Sequence, residues 1–281
     1  MPIQFEGRGQ AGWLIVGAVT VVTAGWGLLQ PDVYRGVIAP GTRPGALSQD
    51  LISVFVGLAL CGLALPRARG GTKAQLVALG LLGYLFYAYG ILVIERVYNG
   101  WYLNYLAIFG LSGWLLVLGA IDVVHRTADS AILPRRVSRI SGMGALLQPL
   151  IFYPLWISML IPLMVDRDQI DSLYSIFIID LVFIMPAFLL VAVGLFRDRS
   201  WAAVLAPVMF ALGAVLILSL ALGELVKPLF GSPVTVAGLV PPTLLTVLFA
   251  GLAILDLARL SFLPETQPPR GSTRPFQPAS T

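Results

Sequence analysis

The chain has few charged residues: Asp, Glu, Lys and Arg together occupy 11% of its 281 positions. In an average soluble domain about a quarter of the residues are charged. Hydrophobic residues make up 58% of the chain, and its mean hydropathy is +0.88. Such a composition cannot supply a hydrated surface, so it excludes an ordinary soluble domain and predicts an integral membrane protein in a lipid bilayer.

Cysteine and histidine are each present only once. One cysteine excludes an internal disulfide, and Cys61 lies in an apolar run where it is expected to pack as a small hydrophobic residue. His125 has no second histidine or cysteine at metal-ligand spacing. The motifs GxSxG and SxxK and the phosphate-binding P-loop are also missing. We therefore expect no metal, no cofactor and no catalytic residue, and these absences favour a function other than catalysis.

Long apolar runs are what the sequence does contain. Windows of about nineteen residues predict eight membrane-spanning helices, and thus an all-α polytopic transmembrane helix bundle. The predicted spans are about 13–29, 50–65, 74–95, 101–121, 145–165, 173–195, 201–223 and 235–256. They form one transmembrane domain over residues 1–263. Residues 264–281 are rich in Pro, Ser and Thr and are expected to be a disordered cytoplasmic tail.

The basic residues alternate between the predicted loops. With both termini in the cytoplasm, thirteen of the eighteen lie on the inner side, and the outer side keeps Arg35, Arg43, Arg96, Arg167 and Lys227. This bias is typical of an inner-membrane topology and does not indicate a nucleic-acid-binding face. The first span could alternatively be a signal peptide after Arg8, but no small-residue cleavage pattern follows it, so we expect it to be retained.

Asp180 lies within the apolar segment YSIFIIDLVFIMP, residues 174–186. A charge near mid-bilayer costs about 3 kcal/mol on insertion scales, so such a residue usually faces the bundle interior or water and often has a function. The alternative is a protonated Asp180 that hydrogen bonds a neighbouring helix and only holds the bundle together. Pro186 cannot donate a backbone hydrogen bond, so it leaves the carbonyl of Val182 free near Asp180.

Further polar residues gather in the outer halves of the predicted spans, and together they suggest an acidic, tyrosine-lined cavity that opens outward. The candidate ligand-binding residues are Asp180, Asp50, Glu95, Tyr84, Tyr87, Asn104 and Tyr105. Taken singly, the residues at span ends have simpler explanations. Asp50 could cap a helix, and Glu95 could pair with Arg96 or Arg35. On the inner side, Asp122 and Asp256 are expected to form interfacial ion pairs with nearby basic residues.

Several segments resemble a group of bacterial multi-pass membrane proteins of unknown function. The resemblance rests on PDVYR (31–35), QDLISVFVGLAL (49–60), GTKAQLVALGLLGYLFYAYG (71–90), LNYLAIFGLSGWLLV (103–117) and the segment 179–208. It implies the multi-pass architecture and no particular chemistry. The chain departs from the group after Pro207, where the apolar run MFALG stands in place of an expected lysine.

Two functional hypotheses follow from these features. In the first, the protein lies in the bacterial cytoplasmic membrane and binds, or also transports, a small cationic or proton-coupled solute. In the second, it is a structural or accessory protein that scaffolds a membrane partner subunit, and its polar residues hold helices together. A membrane-embedded enzyme acting on lipid is a third hypothesis, and it would require a nucleophile or a metal-binding set beside Asp180, which the sequence does not show.

Overall fold

The computed structural model describes residues 5–65, 71–166 and 174–263. Its helices are α1 (Phe5–Leu29), α2 (Arg43–Ala64), α3 (Gly71–Ile94), α4 (Tyr102–Thr127), α5 (Arg135–Asp166), α6 (Tyr174–Ile179), α7 (Met185–Phe196), α8 (Ser200–Val226) and α9 (Val236–Arg259). A π-helical turn, Asp180–Ile184, joins α6 to α7, so these three segments form one continuous span. The predicted tail, residues 264–281, lies outside the described residues.

Eight of the helical segments are long and apolar enough to cross a membrane, which confirms the predicted helical bundle. The chain is therefore a multi-pass membrane protein. Three of the helices begin well before their predicted spans, and the first of these is α1, which begins at Phe5 and not near residue 13. Helix α2 begins at Arg43 because a proline, Pro44, is well tolerated in the first turn of a helix. Helix α5 begins at Arg135 because the polar stretch RRVSRIS continues the helix beyond the apolar window.

Helices α3 and α8 form the centre of the bundle. Most residues of their apolar windows are buried, 72% for α3 and 61% for α8, whereas the value for α5 is only 11%. Helix α3 packs against α2, α4 and α8, and α8 also packs along α9 and α7. Helix α5 packs mainly against α7 and α9, and many of its apolar residues are exposed. The core thus lies between α3 and α8, and α5 lies at the edge.

Small residues allow the closest helix contacts, as expected where lipid provides no hydrophobic drive for helix association. Gly17 of α1 faces Gly57 of α2, and a Cβ atom on Gly57 would lie 2.7 Å from the Gly17 carbonyl oxygen. A Cβ atom on Gly80 of α3 would lie 3.0 Å from the carbonyl oxygen of Val208 on α8. These glycines bring backbone against backbone at two of the main interfaces.

A two-stranded antiparallel sheet closes one end of the bundle. Strand β1 (Ala131–Ile132) follows α4, and strand β2 (Ser261–Phe262) follows α9. Ala131 pairs with Phe262, and the Leu263 amide donates to the Ser130 carbonyl over 2.8 Å. The sheet joins the connection before α5 to the residues after the last helix.

We expect Gly57→Ala to lower the free energy of unfolding by about 1–3 kcal/mol, because its methyl group would overpack the α1–α2 interface. Gly62→Ala on the same helix is the matched control, since a Cβ atom at Gly62 meets no atom within 4 Å. Thermal melting of both variants in detergent measures the difference. Equal melting temperatures would contradict the close α1–α2 contact.

Candidate functional site

A cavity of about 430 Å³ lies at one end of the bundle, between α2, α3, α5, α6 and α8. Residues 37–39 of the α1–α2 connection and Lys227 after α8 line its mouth, and Asp180, Gln148 and Trp156 line it deeper in the bundle. Most of its wall is apolar. By the predicted topology, this end of the bundle faces outward.

Asp180 is the carboxylate inside this cavity that is farthest from a helix end. It follows Tyr174 by six residues, about 9 Å along the helix axis. Its side chain is 5% exposed. The Trp156 indole Nε1 donates to Asp180 Oδ2 over 2.8 Å, and the Tyr87 hydroxyl lies beside the carboxylate. Two aromatic residues from α5 and α3 thus hold Asp180 at the cavity wall.

The backbone around Asp180 follows from Pro186. Proline has no N–H to donate to the carbonyl of Val182, and its ring collides with that carbonyl in a regular helix. The chain responds with the π turn Asp180–Ile184, in which the Met185 amide donates to the Asp180 carbonyl. Isolated π turns occur mostly inside α-helices and frequently at functional sites.

Glu95 lies nearer the mouth of the cavity and organises the start of α6. Its Oε1 accepts hydrogen bonds from the Ser175 amide, over 2.8 Å, and from the Ser175 hydroxyl, over 2.6 Å. Tyr174 donates to the Ile94 carbonyl beside it. Arg35, one of the partners considered for Glu95, instead pairs with Asp32 at 3.2 Å.

A second acidic residue near the mouth is already paired. Lys227 Nζ lies 2.5 Å from Glu224 Oε2, and Glu224 Oε1 accepts from the amide and hydroxyl of Thr235, each over 2.7 Å. Glu224 therefore fixes the connection between α8 and α9. Its charge is balanced by Lys227, which leaves Asp180 and Glu95 as the cavity carboxylates without a salt bridge among the described residues.

Helix α5 supplies two cavity residues that sequence reasoning missed, Gln148 and Trp156. They lie eight positions apart, with Phe152 midway, so the three side chains follow one another at intervals of four residues along the helix. Gln148 is buried, and its Oε1 has no hydrogen-bond partner in the described part of the chain. A glutamine inside an apolar span with three prolines was the available signal.

Asp50 belongs to a separate buried cluster beside the cavity. It is an interior residue of α2 and not a helix cap. The Tyr34 hydroxyl donates to Asp50 Oδ2 over 2.8 Å. Burial raises the pKa of Tyr34 well above its ordinary value, and the nearby Asp50 carboxylate raises it further. Tyr34 therefore keeps its proton and remains the donor.

Aromatic hydroxyl groups surround this pair of residues. We call Asp50, Tyr34, Tyr84, Tyr89 and Tyr105 together the Asp50 cluster. Tyr84 donates to the Gln49 carbonyl over 3.1 Å and lies 3.2 Å from the Ser53 hydroxyl. The rings of Tyr89 and Tyr105 are 5.9 Å apart, and the Tyr89 hydroxyl is buried without a partner among the residues described. Through Tyr84, the Asp50 cluster shares a wall with the cavity.

The seven candidate ligand-binding residues thus divide into two groups. Four of them line the cavity: Asp180, Glu95, Tyr84 and Tyr87. The other three do not. Asp50 and Tyr105 lie in the Asp50 cluster, and Asn104 donates from Nδ2 to the Thr23 hydroxyl of α1 over 3.0 Å. These three residues join α1 and its following loop to the bundle.

At the opposite end of the bundle, the two inner aspartates differ from each other. Asp122 forms the expected ion pair, since its Oδ2 lies 2.6 Å from Arg126 Nη2, and Gln75 joins both residues. Asp256 does not pair with a base within the described segments. It is fully buried and accepts a 2.5 Å hydrogen bond at Oδ1 from Ser141. The difference arises because Asp256 faces α5, while Arg259 of the same helix is exposed.

No group of three or more His, Cys, Asp or Glu residues with metal-binding geometry occurs within residues 5–65, 71–166 and 174–263. Comparison with known proteins finds no matching family model, no matching curated protein and no matching solved structure. The resemblance to a bacterial membrane protein group therefore stays a prediction, and the site must be interpreted from its own chemistry.

The Asp50 cluster generates a direct stability test at Gly27. A Cβ atom there would overlap Asp50 Oδ2 and lie 2.8 Å from Asp50 Cγ. We expect Gly27→Ala to cost about 2–4 kcal/mol, because it combines overpacking with loss of the buried hydrogen bond from Tyr34.

Gly25→Ala is the matched control, because a Cβ atom at Gly25 meets nothing within 4 Å. Chemical or thermal unfolding in detergent compares the two variants. A Gly27→Ala protein as stable as Gly25→Ala would show that Asp50 does not lie against α1.

Proposed function

We propose that the protein binds a small organic cation in the cavity and transports it across the bacterial cytoplasmic membrane. The observation that supports this most strongly is Asp180. It is a buried carboxylate within a membrane-spanning segment, held by Trp156 in the wall of a cavity of about 430 Å³. Ligand cavities of about 300–1,000 Å³ with few polar groups in a mostly apolar wall are typical of small-molecule sites.

The charges of the cavity favour a cation. Lys227 is its basic residue, and this lysine is paired with Glu224. Asp180 and Glu95 have no such partner in the described segments, so their charges can meet that of a ligand. Opposite charges attract far more strongly away from water than in it, which favours an ammonium or guanidinium group next to Asp180.

The aromatic residues favour an organic cation over a bare metal ion. Tyr84, Tyr87, Phe152 and Trp156 line the same cavity as Asp180. A cation close to an aromatic face gains about 0.5–2 kcal/mol, and more as water is removed. The remaining apolar wall would contact the hydrocarbon part of such a ligand.

The accessory-protein hypothesis is supported by a different aspect of the same contact. The hydrogen bond from Trp156 to Asp180 ties α5 to the sixth span, and α5 has few other buried residues. A polar tie between helices explains this geometry without any ligand. The exposed apolar face of α5 would then be available for a membrane partner.

Ligand-dependent melting of wild type and Asp180→Asn separates the two hypotheses. We expect tetramethylammonium or phenethylammonium to raise the melting temperature of the wild type and not that of Asp180→Asn. Saturation at a hundred times the dissociation constant adds about 2.7 kcal/mol to stability. Asp50→Asn is the control, since Asp50 is buried outside the cavity and its variant should melt lower yet keep the ligand shift.

If neither cation stabilises the wild type and Asp180→Asn simply melts at a lower temperature, the cavity proposal fails. Asp180 is then an interhelical tie, and the accessory hypothesis replaces transport. A ligand shift that survives in Asp180→Asn would place the bound cation elsewhere.

The proposed direction of the cavity depends on the topology. Cysteines introduced into a Cys61→Ser background test it at two exposed positions, Gly100 between α3 and α4 and Asp129 after α4. Because the basic loops are expected to stay inside, a membrane-impermeant maleimide should label Gly100→Cys on intact cells and leave Asp129→Cys unlabelled. The reverse labelling pattern would show that the end of the bundle with the cavity faces the cytoplasm.

A further inference from the structure

One face of α5 carries a line of inward-facing residues from one end of the bundle toward the other. This α5 face consists of Ser138, Ser141, Ala145, Gln148, Phe152 and Trp156. The intervals of three and four residues place these side chains along one side of the helix. Ser138 donates to the Leu195 carbonyl of α7, and Trp156 donates to Asp180.

Asp256 meets this face at Ser141, far from the cavity. Its side chain is completely buried, and the Ser141 hydroxyl donates to Oδ1. Its Oδ2 is buried and has no hydrogen-bond partner within the described residues. Asp256 is therefore a half-satisfied carboxyl group within the bundle.

No cation compensates Asp256 within the described ranges. On α5, Arg136 and Arg139 are exposed, and Arg135 lies 3.5 Å from Asp198 in a surface ion pair. On α9, Arg259 is exposed. Helix α8 contributes Glu224, which lies at the opposite end with Lys227. A buried ionised carboxylate without a partner is very costly, so a neutral acid with a proton on Oδ2 suits this site.

We propose that Asp256 is a proton-binding site of the transport cycle, linked to the cavity through α5. When the inner end of the bundle opens to water, the carboxyl group of Asp256 gives its proton to a water molecule and becomes a carboxylate. When the end closes, a proton returns to Oδ2 and α9 packs again on Ser141. The ligand of this second site is thus a proton, and the O–H bond at Oδ2 is the one covalent bond that is made and broken.

The link to the cavity is physical, because one helix holds a hydrogen-bond partner of each acid. Trp156 and Ser141 are separated by fifteen residues, about 22 Å along α5. Gln148 lies between them, and its Oε1 has no hydrogen-bond partner among the residues that the structure describes. Few α5 residues are buried, so a shift of this helix disrupts less packing than a shift of α3 or α8 would. Cation binding at Asp180 would thereby alter the contact between Ser141 and Asp256. This link rests on the proposed cavity function.

Cysteine accessibility tests the proton site without any solute. Ala145 is fully buried on the α5 face, so Ala145→Cys in a Cys61→Ser background reports opening of the inner half. Its labelling by a maleimide is followed against pH with Asp256 intact and with Asp256→Asn. Maleimide reacts with the thiolate, and the ratio of the two rates cancels the ionisation of the cysteine itself.

We expect the labelling rate with Asp256 intact, divided by the rate in Asp256→Asn, to rise by at least about fivefold from about pH 6 to about pH 9. The reason is that loss of the Asp256 proton destabilises the closed packing of the inner end. Asp256→Glu keeps a titratable carboxyl and should restore the pH dependence that Asp256→Asn removes. If Asp256→Asn does not fold, Asp256→Ser replaces it as the reference, because serine also lacks a titratable carboxyl group and the ratio still cancels the ionisation of the cysteine.

A ratio to the carboxyl-free variant that stays flat with pH, for Asp256 and for Asp256→Glu alike, overturns the Asp256 proposal. That result leaves the cavity proposal intact, because cation-dependent melting is measured separately. The link through α5 has its own readout. Tetramethylammonium should change the labelling rate of Ala145→Cys with Asp180 intact and not in Asp180→Asn, and an unchanged rate in both, despite a melting shift, overturns the link.

Discussion

The free-energy cost of burying a carboxyl group away from water constrains how the helices of this bundle pack. Three aspartates are buried within the described part of its spans, and each has a different environment. Asp50 accepts from Tyr34 inside a cluster of hydroxyls, Asp180 accepts from Trp156 at a cavity wall, and Asp256 accepts from Ser141 alone. An acid beside a cavity, or with an oxygen left without a partner, can take a ligand or a proton as its partner. Asp180 lies at the cavity wall and Asp256 Oδ2 has no partner among the described residues, whereas Asp50 lies outside the cavity, which separates a structural acid from two candidate functional ones.

The architecture could be predicted from the sequence because apolar length is a local property. The length and apolar composition of a run such as residues 74–95 are enough to predict that it spans a membrane, and all eight such runs form helices. Helix ends were harder, since the polar turn at Arg135 and the proline turn at Arg43 continue helices beyond their apolar windows. The pairing of β1 with β2 depends on residues far apart in the chain and gave no local signal.

The candidate site could be predicted only in part, because the rotation of each helix and its neighbours are not readable from one sequence. Tyr84 and Tyr87 share the wall of the cavity, whereas Asp50 turns toward α1. Asp256 looked like an interfacial residue because Arg259 follows it by one turn. Its burial against α5 depends on packing between helices that no span pattern records.

The small sheet at the end of the bundle has a consequence for biosynthesis. Strand β2 follows α9, so the ribosome synthesises β2 after α1–α9 and after its partner strand β1. Domains generally fold from the N-terminus during synthesis. Helix α5 is therefore synthesised before β2, the strand that pairs with Ala131, and before its partner Asp256. Ser141 of α5 therefore has no Asp256 to donate to until α9 arrives, which makes the arrival of α9 the step that completes the α5–α9 interface.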